Sequence, residues 1–119
     1  MEETNQDIRE KLPFTHKIFF PFPKLTDVQE KTIPVILSKK NSLIISPTAS
    51  GKTEAVMAPI CERMVDECNG EFRSRELLLI YIVPTKALVN DIYKRLENKL
   101  ARLNITSASK TGDVNNFKI

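Results

Sequence analysis

"SLIISPTASGKT", residues 42 to 53, joins a short apolar run to a turn that ends in Gly-Lys-Thr. The run reads as a buried strand. From Thr53 to about Cys68 the chain reads as a helix, with Val56, Ile60 and Met64 spaced by four. A strand, a tight loop and a helix start are what a phosphate-binding loop requires. Backbone N–H groups from Ala49 to Thr53 would turn inward around the phosphates, and the helix dipole would face the anion. Lys52 would reach the β and γ phosphates, and the Thr53 hydroxyl would bind Mg²⁺. The template asks for Gly, four residues and Gly-Lys-Ser/Thr; here Ser46 stands in the first glycine's place and Ala49 in the fourth position. Both are small, so the steric demand falls on Gly51, where a side chain would block the approach. The bland alternative is an ordinary strand-to-helix turn with a chance lysine.

Outward from this loop the same alternation continues. "LLLIYIV", residues 77 to 83, is wholly apolar, the pattern of a strand covered on both faces in a parallel sheet. Pro84 and Thr85 end it, and a helix is predicted from Lys86 to about Leu103, with Leu88, Ile92, Leu96, Leu100 and Leu103 in one stripe. "ITSAS", residues 105 to 109, is a third short strand candidate. Upstream, "LTDVQ" places Thr26 as N-cap and Gln29 three residues on, a capping-box spacing that opens a helix to about Ser38 with Pro34 inside it. This order predicts an α/β fold, a parallel sheet with right-handed crossovers and helices on both faces. Residues 1 to 24 form an aromatic and proline-rich extension, in which Pro13, Pro21 and Pro23 argue against a long helix after residue 12.

The bulk properties narrow the classes. At 119 residues the chain fits one domain, long enough to bury roughly two-thirds of its unfolded surface. Its net charge of +3 is too small to argue for nucleic-acid binding by itself. The charge is uneven, however: Lys86, Lys94, Arg95, Lys99, Arg102 and Lys110 face only Asp91 and Glu97. A solvated helix face explains that excess equally well. Cys61 and Cys68 would sit roughly 10 Å apart on one helix, too far for a bridge, and with only His16 to join them they make no zinc set. The acidic start and the absence of a long apolar run predict a cytoplasmic chain without a membrane segment.

A second turn repeats the first. "YIVPTKAL" runs from strand through Pro84-Thr85 into a helix beginning at Lys86. In open α/β sheets, ligands bind at the carboxyl ends of strands. Backbone amides and a hydroxyl at a helix start suit a nucleic-acid phosphate, and a plain helix cap explains them too.

Taken together, these residues resemble the first RecA-like domain of superfamily 2 helicases, the group that includes the DEAD-box proteins. "LTDVQ" looks like the Q motif, "SPTASGKT" is similar to motif I, "PTKAL" resembles motif Ia, and "TGD" (Thr111 to Asp113) resembles a later loop that contacts nucleic acid. The offset of 22 from Gln29 to Gly51 suits that family, and "PTKALVNDIYKRLE" followed by "KTGD" looks closest to its large helicase-related branch. In this family motif I tolerates small residues where Ser46 and Ala49 stand. The resemblance spans about residues 20 to 115 and divides the chain into the extension, 1–24, and part of a RecA-like ATP-binding domain, 25–119.

The resemblance implies ATP and Mg²⁺ as cofactors and DNA or RNA as partner. It gives Gln29, Pro47, Thr48, Ala49, Ser50, Gly51, Lys52 and Thr53 to the nucleotide, with Lys52 and Thr53 catalytic and Thr53 on Mg²⁺. Gln29 would read the adenine edge, and one of Phe14, Phe19, Phe20 and Phe22 would stack on the base. Pro84, Thr85, Lys86, Thr111, Gly112 and Asp113 go to the nucleic-acid backbone. Asp66-Glu67 mimics motif II but lies in the helix leaving the loop, 13 residues past Thr53, and reads as a pair of solvated helix-end acids. Motif II, motif III and the second RecA-like domain are expected beyond Ile119, as partners to this part. Hydrolysis of such a nucleotide needs a held metal, a positioned water and stabilisation of transition-state charge. The chain by itself is therefore expected not to hydrolyse ATP, and a truncated sheet would expose edges open to self-association. The alternatives are a naturally short, non-catalytic nucleotide-binding module and another P-loop NTPase; the second leaves Gln29, "PTKAL" and "TGD" without a purpose.

Overall fold

The computed structural model describes residues 5–71 and 76–112. Five helices occur among them: α1 (Asn5–Glu10), α2 (His16–Phe19), α3 (Asp27–Leu37), α4 (Lys52–Glu67) and α5 (Lys86–Ala101). The chain divides into two compact units, one ending at Glu67 and one beginning at Cys68.

The first unit is built on the packing of α3 against α4. Helix α3 forms where the capping box predicts. Thr26 Oγ1 accepts from the Gln29 N–H at 3.3 Å, and Gln29 Oε1 accepts from the Thr26 N–H at 2.9 Å. These two bonds satisfy N–H groups that a helix start otherwise leaves without partners. Pro34 lies inside α3 and Pro59 inside α4, each removing one ladder donor, yet both helices run on. Helix α3 buries Ile33 and Ile36; α4 buries Ala55, Ala58, Cys61 and Val65. The stripe Val56, Ile60 and Met64 is only half-buried. The small side chains of Ala55 and Ala58 share the buried part of α4 with the larger Met57, 1% exposed.

The aromatic segment before α3 is part of this core. Ile8, Leu12, Phe19 and Phe20 are buried, whereas Phe14 and Phe22 are exposed. Rings of Phe20 and Phe22 meet edge to face at 6.1 Å. Polar groups fasten the segment at two places. Arg9 donates to the carbonyl of Phe20 at 2.7 Å and to that of Phe22, and Asn5 Nδ2 donates to Pro23 O at 2.7 Å. Farther along, Glu62 Oε1 on α4 accepts from the N–H of Phe14 (2.9 Å), the N–H of Thr15 (3.1 Å) and the Thr15 hydroxyl (3.1 Å).

In the second unit α5 buries Leu96 and Leu100, half-buries Ile92 and leaves Leu88 exposed, and Leu103, past its end, is half-buried. Its end is a Schellman closure. Asn104 adopts φ +60°, its N–H reaches Ala101 O at 3.0 Å, and the Ile105 N–H reaches Leu100 O at 2.9 Å.

The expected parallel sheet does not form among the described residues, which contain no strand. Segments 42–46, 77–83 and 105–109 lie outside every helix without being paired into strands. Their side chains show the consequence: Leu43, Ile45 and Ile82 are each 86% exposed. A strand is stable only when neighbours take up its backbone groups and cover its apolar faces. The predicted helices have that support locally, from caps and i→i−4 bonds; the predicted strands do not. No helix among the described residues is long and apolar enough to cross a membrane.

Candidate functional site

The loop between residue 46 and α4 is held from two sides. Thr26 Oγ1 donates to Ser50 O at 2.8 Å, and Gln29 Nε2 donates to Gly51 O at 3.3 Å. The cap of α3 thus also grips the loop's last two carbonyls before α4. Gln29, 2% exposed, commits one oxygen lone pair to Thr26 and one amide hydrogen to Gly51. That leaves one lone pair and one hydrogen on the same amide. Gly51 has φ +82°, and a Cβ there would clash with Gln29 Nε2 and lie 3.2 Å from Gln29 Cδ. Glycine is required at this position both by the left-handed backbone and by the close passage of Gln29.

Within the loop, Lys52 Nζ donates to Ser46 O at 2.7 Å, and the hydroxyls of Ser46 and Ser50 are 2.7 Å apart. Pro47, Thr48 and Ala49 form the exposed tip, and Ala49 adopts φ +60°. That left-handed conformation costs a non-glycine residue roughly 1–2 kcal/mol. Lys52 opens α4, Thr53 follows half-buried, and the Ala55 N–H closes the first turn on Gly51 O at 3.0 Å. A helix start with a lysine and a hydroxyl on its first two residues offers N–H groups without intrahelical acceptors to an anion. This donor set fits nucleotide phosphates. No group of three or more His, Cys, Asp or Glu able to hold a metal occurs among the described residues. Thr53 would contribute one oxygen to Mg²⁺, alongside phosphate oxygens and water.

The second candidate site lies in the other unit. Thr85 caps α5, its hydroxyl accepting from the Leu88 N–H at 3.2 Å, so the plain-cap reading holds for its acceptor role; the hydroxyl hydrogen remains. Pro84 and Lys86 flank it, both exposed. Gly112 comes beside Lys86: a Cβ on Gly112 would lie 3.6 Å from Lys86 Cε. Gly112 of "TGD" thus lies beside Lys86 of "PTKAL", with half-buried Thr111 preceding Gly112. Asp113 lies outside the described residues.

Asp66 and Glu67 are exposed at the end of α4, where Glu67 pairs with Lys39 at 3.2 Å, as helix-end acids do. Cys61 is buried and unpaired, and burial, helped by the charge of Glu62, pushes its thiol up to about 12. Burial also raises the Glu62 carboxyl, opposed by the three donors on its oxygen.

Two contacts escaped sequence reasoning. The bond from Thr26 to the loop needs a tertiary approach that no spacing encodes. The Glu62 staple left a trace in the sequence: Glu62 falls four positions after Ala58 on the buried face, an acid in an apolar register.

The pattern of the DEAD/DEAH box helicase family matches residues 26–118 of this chain. The chain belongs to the DEAD/DEAH box helicase family. Among curated relatives of this DEAD/DEAH box chain, it is 32% identical over 105 residues to "RQC trigger complex helicase SLH1" of Saccharomyces cerevisiae, covering 82% of the chain and 5% of that protein. It is 27% identical over 117 residues to "U5 small nuclear ribonucleoprotein 200 kDa helicase" of Drosophila melanogaster, covering 93% of the chain and 6% of that protein. It is 39% identical over 75 residues to "Probable ATP-dependent RNA helicase DDX4" of Homo sapiens, covering 60% of the chain and 10% of that protein. The DEAD/DEAH box chain therefore spans a small part of the length of the curated relatives it matches. No solved structure matches it significantly.

Proposed function

We propose that this chain is the nucleotide-binding part of an ATP-dependent helicase, with residues 46–53 as its phosphate loop. The observation that carries this reading is the grip of the Thr26–Gln29 cap on the Ser50 and Gly51 carbonyls. It ties Gln29, the residue read here as facing the base, to Gly51, the residue read here as passing the phosphates. In this reading Lys52 neutralises the β and γ phosphates, and the α4 start donates backbone N–H groups to them. Thr53 contributes its hydroxyl to a Mg²⁺ ion, which supplies charge neutralisation of the triphosphate. Gln29 offers its remaining hydrogen and lone pair to the adenine edge, and exposed Phe22 is the nearest aromatic in sequence to stack on it.

The second unit binds nucleic-acid backbone through Thr85, Lys86, Thr111 and Gly112, with Asp113 next in the chain. The convergence of Gly112 on Lys86 supports this. The names of the relatives favour RNA as the strand. In this reading the chain binds nucleotide without turning it over: hydrolysis needs a held metal and a positioned water, and the Asp66-Glu67 pair lies exposed at the far end of α4, where Glu67 pairs with Lys39.

The test is binding and turnover of radiolabelled ATP by the 119-residue chain, with and without RNA or DNA. Binding that falls at least tenfold in Lys52→Ala, with no release of phosphate in either protein, is the expected result. Phosphate release that Lys52→Ala abolishes would show a complete active site. Binding indifferent to Lys52 would remove the loop from the nucleotide site.

A further inference from the structure

Residues 20 to 23, Phe-Pro-Phe-Pro, have few backbone donors of their own. Pro21 and Pro23 carry no N–H, and the Phe20 N–H goes to His16 O at 2.8 Å. The carbonyls of this stretch are taken up from α1 instead. Arg9 Nη1 donates to Phe20 O at 2.7 Å, Arg9 Nη2 donates to Phe22 O, and Asn5 Nδ2 donates to Pro23 O at 2.7 Å. Arg9 Nε also donates to Asn5 Oδ1 at 3.3 Å, so the two side chains, one helical turn apart, form a single clamp. The clamp is itself anchored: Ile8, beside Arg9, is 1% exposed, and α1 packs against α3.

We propose that Arg9 is a positioning residue for nucleotide binding: through the Phe20 and Phe22 carbonyls it holds the Phe22 ring where the base of an adenine nucleotide stacks. This rests on reading residues 46–53 as a phosphate-binding loop with Gln29 facing the base, and adds to that reading the group that fixes the stacking ring. Phe22 is 42% exposed, yet it is held twice, by Arg9 at its carbonyl and by the buried Phe20 ring, edge to face at 6.1 Å. A ring held at its edge keeps a face open to a planar partner. It is also within reach of the loop. Phe22 lies four residues before Thr26, so their Cα atoms are at most about 14 Å apart. The Thr26 hydroxyl in turn holds Ser50 O at 2.8 Å. If the ring is in place only part of the time, apparent affinity falls by that fraction. The effect of losing Arg9 is therefore bounded by the effect of losing the ring, and it falls on the base rather than on the phosphates.

Two measurements on the 119-residue chain test this role. The first needs no ligand: the rate at which a lysine-specific protease cuts after exposed Lys24, two positions past Phe22, read against cutting at the chain's other lysines. Arg9→Met keeps the side chain's length and removes its donors. It is expected to speed cutting after Lys24 selectively, about tenfold, as loss of bonds to a charged donor implies. Asn5→Ala is expected to act in the same direction and less, and it decides the matter if Arg9→Met opens the chain at every lysine. Unchanged cutting in both variants overturns the clamp. The second is calorimetric titration with ATP and with inorganic tripolyphosphate, each with Mg²⁺. Phe22→Ala is expected to weaken ATP about tenfold and to leave tripolyphosphate unchanged. Arg9→Met is expected to weaken ATP at least about threefold, to leave tripolyphosphate unchanged, and to add nothing in a chain that already carries Phe22→Ala. Lys17→Met, which removes the same charge from an exposed position, is expected to change neither ligand. Unchanged ATP affinity in Arg9→Met overturns the proposal. So does equal weakening of both ligands, or a further loss of ATP on top of Phe22→Ala. An unmodified chain that binds neither ligand overturns the phosphate-loop reading instead, while cutting after Lys24 still decides whether Arg9 holds the segment.

Discussion

Gly51 concentrates two constraints in one residue: a left-handed backbone and the passage of Gln29 past its Cα. Gly51→Ala is expected to abolish nucleotide binding and to destabilise the chain by roughly 1–2 kcal/mol from the backbone alone, measurable by urea denaturation and by fluorescent-nucleotide titration. Near-normal binding would mean that Gln29 can withdraw. Glu62 poses the opposite problem, an acid held in the core by three donors. Its carboxyl is raised by burial, so in the range just above the ordinary carboxylate value the folded chain holds a proton that the unfolded chain has released. Stability from this group is therefore present at low pH and is lost as pH rises through the folded value. Glu62→Gln keeps the accepting oxygen and removes the charge. It is expected to flatten that pH dependence, measured as melting temperature from pH 4 to pH 7, whereas Glu62→Ala leaves two backbone N–H groups unmet and costs about 1–3 kcal/mol. Identical pH profiles for wild type and Glu62→Gln would exclude Glu62 as the titrating group.

At the scale of elements, helix starts do most of the organising. Thr26 caps α3 and simultaneously binds the loop at Ser50, so its removal disturbs two elements. Thr26→Ala is expected to lower stability by about 1–2 kcal/mol, the upper range for a lost cap, and also to weaken nucleotide binding. Thr85→Ala removes a cap that touches only its own helix, and about 1 kcal/mol is expected with nucleotide binding intact. Calorimetry and nucleotide titration on the two variants separate the roles; equal binding losses would show that Thr26 acts only as a cap. The starts of α3 and α5 were legible in the sequence because their caps, Thr26 and Thr85, act within three residues. The buried face of α4 was not. The visible stripe, Val56, Ile60 and Met64, is the larger one, but the small residues Ala55 and Ala58 mark where another element can approach.

For the whole molecule, the decisive fact is apolar surface left open. Leu43 and Ile45 in the first unit and Ile80 and Ile82 in the second are exposed on segments whose backbone groups no sheet takes up. Such surface promotes association. The chain is expected to self-associate with rising concentration in sedimentation velocity, and Ile80→Lys with Ile82→Lys is expected to return it toward monomer. Concentration-independent sedimentation of the unmodified chain would contradict this.

Sequence by itself determined the helices, their caps, the glycine at position 51 and the family, because each rests on spacings of a few residues or on motifs in fixed order. It also gave a pattern for strands, but a strand's hydrogen bonds belong to its neighbours, and only the tertiary structure could decide whether those neighbours were present. The structure alone revealed that the α3 cap holds the carbonyls of Ser50 and Gly51, that Glu62 staples the aromatic segment, and that the Ser46 hydroxyl meets that of Ser50. These contacts join residues distant in the chain, or depend on a loop conformation that residue types leave open, and become fixed only when the elements pack.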